Sequence, residues 1–369
     1  MIFSRRKLRR YARTLQGNIF SVAGRTIALI FGVILLIIPA FVQDPYVLKF
    51  LTFTNIFVIY AVSWDLLCGY AGQVSLGHSA FLGISAYATA ILNTRLGIDP
   101  WLSIPMGAII CILAGLIIAL PSLRLRGPYF ALATLAFPII IHGIVNIFSD
   151  FFGGEMGISG LAPITLSRIS NYYIILAVTA VSVVIMWKLT DAKSSIVRTG
   201  IVLHAIREEE IGARAIGINT TRYKVLAFCF SGFFAGIAGG LYTHTLRVAG
   251  PSTLELWNSI LPVIWSVFGG MMSMYGPAVG VYVLYPMMEG LRAIPEYRML
   301  IFGMVAVVVL VFMPEGIAVW IRDKLEETCP RCKLSNVFWR KKCRACGAAL
   351  HLERGSEAVV TQETQVVER

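Results

Sequence analysis

Residues 26–43, TIALIFGVILLIIPAFVQ, carry no charge over 18 consecutive positions. At about 1.5 Å per helical residue, such a run nearly crosses a hydrocarbon core roughly 30 Å thick. Further apolar segments follow near 49–68, 75–93, 101–120, 128–148, 171–189, 225–244, 257–272, 276–290 and 298–313. Ten such segments predict an all-α polytopic membrane protein of about ten transmembrane helices. The first run exceeds the apolar core of a secretory leader, and no small-x-small site follows it cleanly, so it is read as a first span. Only 14% of the chain is charged, against about 25% in soluble domains.

The net charge of +12 does not point to nucleic acid. Alternating the segments from a cytoplasmic N-terminus leaves Lys49, Arg95, Arg168, Arg247, Arg292 and Arg298 outside, and the other 26 of the 32 Lys and Arg inside. That bias sets the orientation, with both termini cytoplasmic. The expected organisation is a basic N-terminal segment 1–25, a membrane domain 26–320 with a cytoplasmic loop 188–224, a cysteine-bearing segment 325–352, and a disordered polar tail 353–369. The basic stretch Arg5–Arg10 reads as a topology anchor.

The segment Cys68–Leu92 is unusual for a span. Gly69, Gly72, Gly77 and Gly83 loosen its start, and Gln73, Ser75, His78 and Ser79 are polar. Lipid offers such groups no partner, so they must face protein or a water-lined cavity. A broken helix near the bilayer midplane, with free backbone groups, is one way to build a solute path. A kink packed against a neighbouring helix is the alternative.

Within the loop 188–224, Ile206, Ile211, Ala215 and Ile218 recur at roughly helical spacing among Arg207, Glu208, Glu209, Glu210 and Arg214. This pattern predicts a short amphipathic helix, ended by Gly217 as a C-cap. An apolar face in water wants a groove. The alternative, a loop lying on anionic lipid, is opposed by three glutamates. No G-x-x-x-x-G-K-[ST] occurs, so no nucleotide site is expected on this chain.

Gly232, Gly236 and Gly240 share one helix face, and Gly276 and Gly280 repeat the spacing. They suit close helix approach, within the chain or between subunits. Asp65 and Glu289, at the edges of apolar segments, are expected to snorkel or to form local ion pairs. Cys68, Cys111 and Cys229 are isolated packing residues. Cys329, Cys332, Cys343 and Cys346 instead form two C-x-x-C knuckles ten residues apart. In a reducing cytoplasm this spacing predicts a structural Zn2+ bound by four thiolates, whose binding would supply the folding energy of so short a segment. His351 lies beyond the set. The surrounding Lys333, Arg340, Lys341, Lys342 and Arg344, with Phe338 and Trp339, suit a small cap on the helix end or a surface for an acidic partner, lipid headgroups or nucleic acid.

GYAGQVSLGHSAFLGISAY (69–87), RGPYFALATLAF (126–137), GGEMGISGL (153–161), the block 205–244 and the block 296–317 together resemble, in this order, the permeases of branched-chain amino-acid ABC importers, the LivH/LivM family. The likeness covers roughly 26–320 and is nearer the LivM arm. Ala136 and Pro138 depart from the glycine and carboxylate frequent in relatives. The resemblance implies a transport subunit, not an enzyme, in the cell (inner) membrane. Its implied partners are a second permease, two ABC ATPases and an external solute-binding protein. It also implies a coupling helix gripped by an ATPase through Arg207, Glu208, Glu209, Glu210, Ala213 and Gly217. A solute path near Gln73, Ser75, His78 and Ser79 completes this reading. A stand-alone secondary transporter, or a membrane-anchored sensor working through the zinc ribbon, are the rival readings.

Overall fold

A computed structural model describes residues 23–350, apart from 43, 126, 192–198, 314, 330, 333–334, 338–342 and 344–345. The N-terminal anchor Arg5–Arg10, the aromatic and basic residues at 333, 338–342 and 344, His351 and the tail 353–369 lie outside the described residues. The chain divides into two compact units, one of residues 39–318 and one formed by the two ends.

Each of the ten apolar segments falls on a helix. These are α1 (Ala23–Phe41), α2 (Pro45–Asp65), α3 (His78–Leu96), α4 (Pro100–Ser122), α5 (Pro128–Ile147) and α6 (Arg168–Thr190), then α9 (Thr220–Leu246), α10 (Leu256–Gly269), α11 (Gly276–Gly290) and α12 (Pro295–Phe312). Between α6 and α9 lie two short helices, α7 (Thr199–Glu208) and α8 (Glu210–Ala215); α13 (Ile317–Leu325) follows α12. Among the described residues, five helical segments are long and apolar enough to cross a membrane: 45–70, α4, α5, α6 and α9.

Local chemistry explains several starts and stops. Asp44 caps α2, its carboxylate accepting the Tyr46 amide at 2.8 Å, and Pro45 sits where a helix needs no amide donor. Asn219 caps α9 through the Arg222 amide. Five residues of π-helix, Leu66–Tyr70, extend α2.

α2 is the axis of the larger unit and packs against α6, α9, α10 and α11. In their most apolar windows α2 and α9 are 78% and 61% buried, whereas α5 and α6 are 22% and 28% buried. The exposed faces of α4 and α5 carry Ile109, Leu113, Ile117, Leu132 and Ile140, which suits contact with acyl chains rather than water. Because lipid rewards no apolar burial, the inner helices are joined by close packing and hydrogen bonds. A Cβ on Gly236 would lie 2.9 Å from the Ala108 Cα, and one on Gly232 would lie 2.9 Å from the Phe81 ring. The glycine stripe of α9 therefore seats α3 and α4 within this chain. Gly280 does the same for α10, where a Cβ would lie 1.9 Å from the Trp265 carbonyl oxygen. Ser231 donates to the Ser63 carbonyl at 2.7 Å, Thr179 to that of Asn55 at 3.1 Å, and Tyr282 to the Asn55 side chain.

Two short antiparallel pairs accompany the helices: β1 (Ile158–Ser159) pairs with β2 (Val248–Ala249), and β3 (Glu326–Thr328) with β4 (Ser335–Val337). One expectation is corrected. Asp65 neither snorkels nor pairs locally. It is fully buried and accepts the Met272 amide at 3.1 Å, while Glu289 does form the local pair, with Arg292 at 3.0 Å. The irregular backbone 71–77 follows a helical segment of 26 residues, 45–70, that is by length and composition apolar enough to cross a membrane.

Candidate functional site

The broken stretch before α3 is bound into protein. Ser75, His78 and Ser79 are 1%, 0% and 0% exposed, and Gln73 is half-buried. The His78 Nε2 lies 2.9 Å from the Ser63 hydroxyl, whose own proton goes to the Tyr60 carbonyl at 2.7 Å. The hydrogen-bond network therefore assigns the His78 proton to Nε2, leaving Nδ1 a shielded acceptor with no partner. The Ser79 amide donates to the Ser259 Oγ at 3.0 Å, and the two hydroxyls meet at 2.7 Å. The Trp64 indole donates to the Ser75 carbonyl at 2.8 Å. Backbone groups freed at the start of α3 are thus recovered by α2, α10 and α5, the last through Thr134, which accepts the Leu76 amide at 3.1 Å. Gln73 alone of the four faces outward in part; its amide side chain reaches only the Ala71 carbonyl, at 3.4 Å.

The loop between α6 and α9 differs from the single helix expected across 205–218. Glu209 adopts extended backbone (φ −152°, ψ 98°), ends α7 and starts α8. The result is an elbow of two helices. α8 ends as expected: Gly217 is left-handed (φ 87°), its amide donates to the Arg214 carbonyl, and the Ile218 amide reaches back to that of Ala213. That pair of bonds is a Schellman cap. Ala213 faces inward at 4% exposure, while Ile211 and Ile216 are 73% and 76% exposed. Glu210 points to its own chain, bonding Arg214 at 2.6 Å, Lys224 at 2.7 Å and Thr220 at 3.3 Å. Burial alone would push its carboxyl up, but Lys224 and Arg214 outweigh that and hold it below the usual range. Glu208 and Glu209 are exposed.

α7 rests on the irregular stretch. The His204 ring stands edge-on to Tyr70 at 5.4 Å, and the Arg207 stem covers Gly72, where a Cβ would lie 3.3 Å from the Arg207 Cγ. Tyr70 in turn donates to the Met272 carbonyl at 2.8 Å. No spacing in the sequence pairs these positions.

The four tail cysteines come together. Their sulfurs all lie within 4.8 Å of one another, with Cys329–Cys346 at 3.5 Å and Cys332–Cys343 at 3.4 Å. Four thiolates about 2.3 Å from one tetrahedral ion would sit roughly 3.8 Å apart, so the set fits a metal ion. The buried Asn336 amide donates to the Cys343 sulfur at 3.5 Å. The Cys332 amide donates to the Cys329 thiol and lowers it from its ordinary value.

A bundle of apolar helices around a buried axis, stitched by hydroxyls and closed by a polar loop, defines a multi-pass membrane protein. Residues 46–310 match the family described as "Branched-chain amino acid transport system / permease component", and the chain belongs to that family. It is 28% identical over 299 residues to the high-affinity branched-chain amino acid transport system permease protein LivM of Salmonella typhimurium, covering 74% of this chain and 70% of that one. Identity to LivM of Escherichia coli is also 28%, over 77% of this chain and 71% of that one. The probable branched-chain amino acid transport permease protein LivH of Methanocaldococcus jannaschii is 25% identical, over 63% and 76% of the two chains. This chain is thus a transport subunit, as the sequence motifs implied.

Proposed function

We propose that the chain is one permease half of an ATP-driven importer for branched-chain amino acids or a closely related small solute. It crosses the cell (inner) membrane about ten times, with both ends in the cytoplasm. A second permease completes the pathway, two ABC ATPases supply the energy, and an external binding protein delivers the solute.

One observation carries this reading. The loop between two membrane-crossing helices exposes Ile211 on α8 and Ile216 at its C-terminal cap, while its other arm, α7, presses on the irregular stretch before α3. Exposed isoleucines on and beside so short a helix want a protein groove. The outer loops 149–170 and 245–256, where a binding protein would sit, are joined by the β1–β2 pair, Ile158 opposite Ala249. Ser75, His78 and Ser79 are closed in this conformation, so transport requires their bonds to α2 and α10 to be exchanged during the cycle. Gln73, already partly open, marks the inner mouth. A nucleotide can drive that exchange only by favouring one state over the other.

The tail cysteines are assigned to a structural Zn2+. Four thiolates would close its coordination shell, and the metal would order a segment too short to fold by burial alone.

The test is Ile211→Asp combined with Ile216→Asp in the full complex. The variant should insert normally, lose ATPase subunits on purification and lose uptake. Undiminished co-purification and uptake, or labelling of Ile211→Cys by an impermeant reagent from outside the cell, would overturn the proposal.

A further inference from the structure

Three cations that the charge pattern places outside meet in one cavity. Lys49 stands in the first turns of α2, Arg168 opens α6, and Arg247 follows α9, yet all three line a single hollow of about 510 Å3. That volume suits a small molecule. No carboxylate lines it, and none of the three cations has an ion-pair partner among the described residues. A second outer-face cavity, of about 400 Å3, is lined by Glu155 and Glu255 with His142. The positive character therefore belongs to this hollow and is not shared by that one.

Two further features point to a ligand. The Asn171 Oδ1 and the Thr245 Oγ1 are shielded from solvent and have no hydrogen-bond partner among the described residues. Both residues line the same cavity. Such atoms are costly to leave unpaired. His244, by contrast, is satisfied at both ring nitrogens, by Ser103 and the Ala162 carbonyl, each at 2.9 Å, and serves as wall.

We propose that this cavity is an outer subsite for a zwitterionic amino acid. Lys49, Arg168 and Arg247 surround the solute carboxylate, the Thr245 hydroxyl donates to it, and the Asn171 oxygen accepts from the ammonium. The choice of an amino acid rests on the importer reading; the affinity for a carboxylate does not.

Thr165→Cys, at a lining position outside the proposed contacts, in the full permease with its partner subunits and in phosphatidylcholine vesicles, reports on the cavity directly. Its modification by anionic and cationic methanethiosulfonates of matched size is followed by mass spectrometry of the peptide carrying residue 165. Focused positive charge should make the anionic reagent at least about tenfold faster. That preference should shrink with each of Lys49→Gln, Arg168→Gln and Arg247→Gln, read singly so that no variant depends on a triple change folding. Millimolar leucine should slow labelling without binding protein present, and leucinamide should not. Slowing by acetate but not by leucine would support the carboxylate site while refuting the branched-chain solute. Equal rates for the two reagents, equal protection by leucinamide, or protection only by anionic lipid or by the binding protein would overturn the subsite.

Discussion

Glu210→Gln isolates one device in the loop between α6 and α9. α8 has six residues, too few to stand as a helix in water. It is held by its Schellman cap, by burial of Ala213, and by Glu210, whose two oxygens join Arg214 and Lys224. Gln keeps the shape and removes the charge. Hydrogen bonds to charged groups contribute about 1.5–3 kcal/mol when shielded. The Glu210 and Arg214 side chains are 31% and 50% exposed, but Lys224 only 11%, so each bond is discounted toward the surface value of about 0.5–1 kcal/mol. Together they contribute roughly 1–2 kcal/mol to keeping α8 on α9, a factor of about 5–30 in its local opening.

Hydrogen exchange of the 213–218 amides measures that opening, with the buried 232–240 stretch as internal control. Exchange should quicken by this factor in the first stretch only. The effect also has a pH signature. Lys224 and Arg214 depress the Glu210 carboxyl in the folded chain. Its stabilisation is therefore complete above the unfolded value of about 4.3 and is lost as pH falls through the depressed one. The ratio of variant to parent exchange should be largest near neutrality and approach one as pH falls through the depressed value. An unchanged ratio at neutral pH would refute the anchoring role.

Adding one methyl should have opposite effects at two glycines: Gly236→Ala must push α4 away and lower stability by about 1–3 kcal/mol. Gly143→Ala meets nothing within 4 Å and should raise it by about 0.5–1 kcal/mol; thermal unfolding of the two variants in detergent checks the signs. Metal analysis of the purified chain should find one zinc per chain, falling to near zero in Cys343→Ser, with protease sensitivity rising in 325–350 and membrane insertion unchanged. Tyr70→Phe removes the hydroxyl that donates to the Met272 carbonyl at 2.8 Å; ATP hydrolysis should persist while uptake per ATP falls, and an unaltered ratio would mean that the hydroxyl transmits nothing.

The helices were legible because length and apolarity suffice to locate them when lipid is the solvent. The cysteine site was legible because two C-x-x-C knuckles preset ligand geometry locally. The elbow at Glu209 was signalled weakly: Ile206 and Ile211 lie five apart, a spacing no single helix places on one face. What escaped was set by distant pairing. Asp65 meets Met272 across 207 residues, and Lys49, Arg168 and Arg247 share a cavity although charge counting places them only on the same side. The β3–β4 hairpin was missed because its strands are three residues each, shorter than any alternation can reveal.

The elbow also changes what a motor protein could do to this loop. A straight helix across 205–218 would carry a push along its axis into whatever its far end touches. With extended backbone at Glu209, a displacement of α8 can rotate about that joint unless something ties α8 down, and Glu210 does so from the very next residue by bridging to Lys224 of α9. α8 thus moves with the start of a spanning helix, whereas α7 moves with Tyr70 and Gly72 at the end of another. Tyr70 and Asp65 hold the carbonyl and the amide of Met272, itself left-handed at φ 64°. The turn between α10 and α11 must therefore follow Tyr70 or break one of those bonds. A pull on the loop is in this way divided between α9 and the α2, α10 and α11 group, the very helices whose contacts close over Ser79 and His78. Relative movement of the two groups, rather than translation of a rigid rod, is the motion this packing permits.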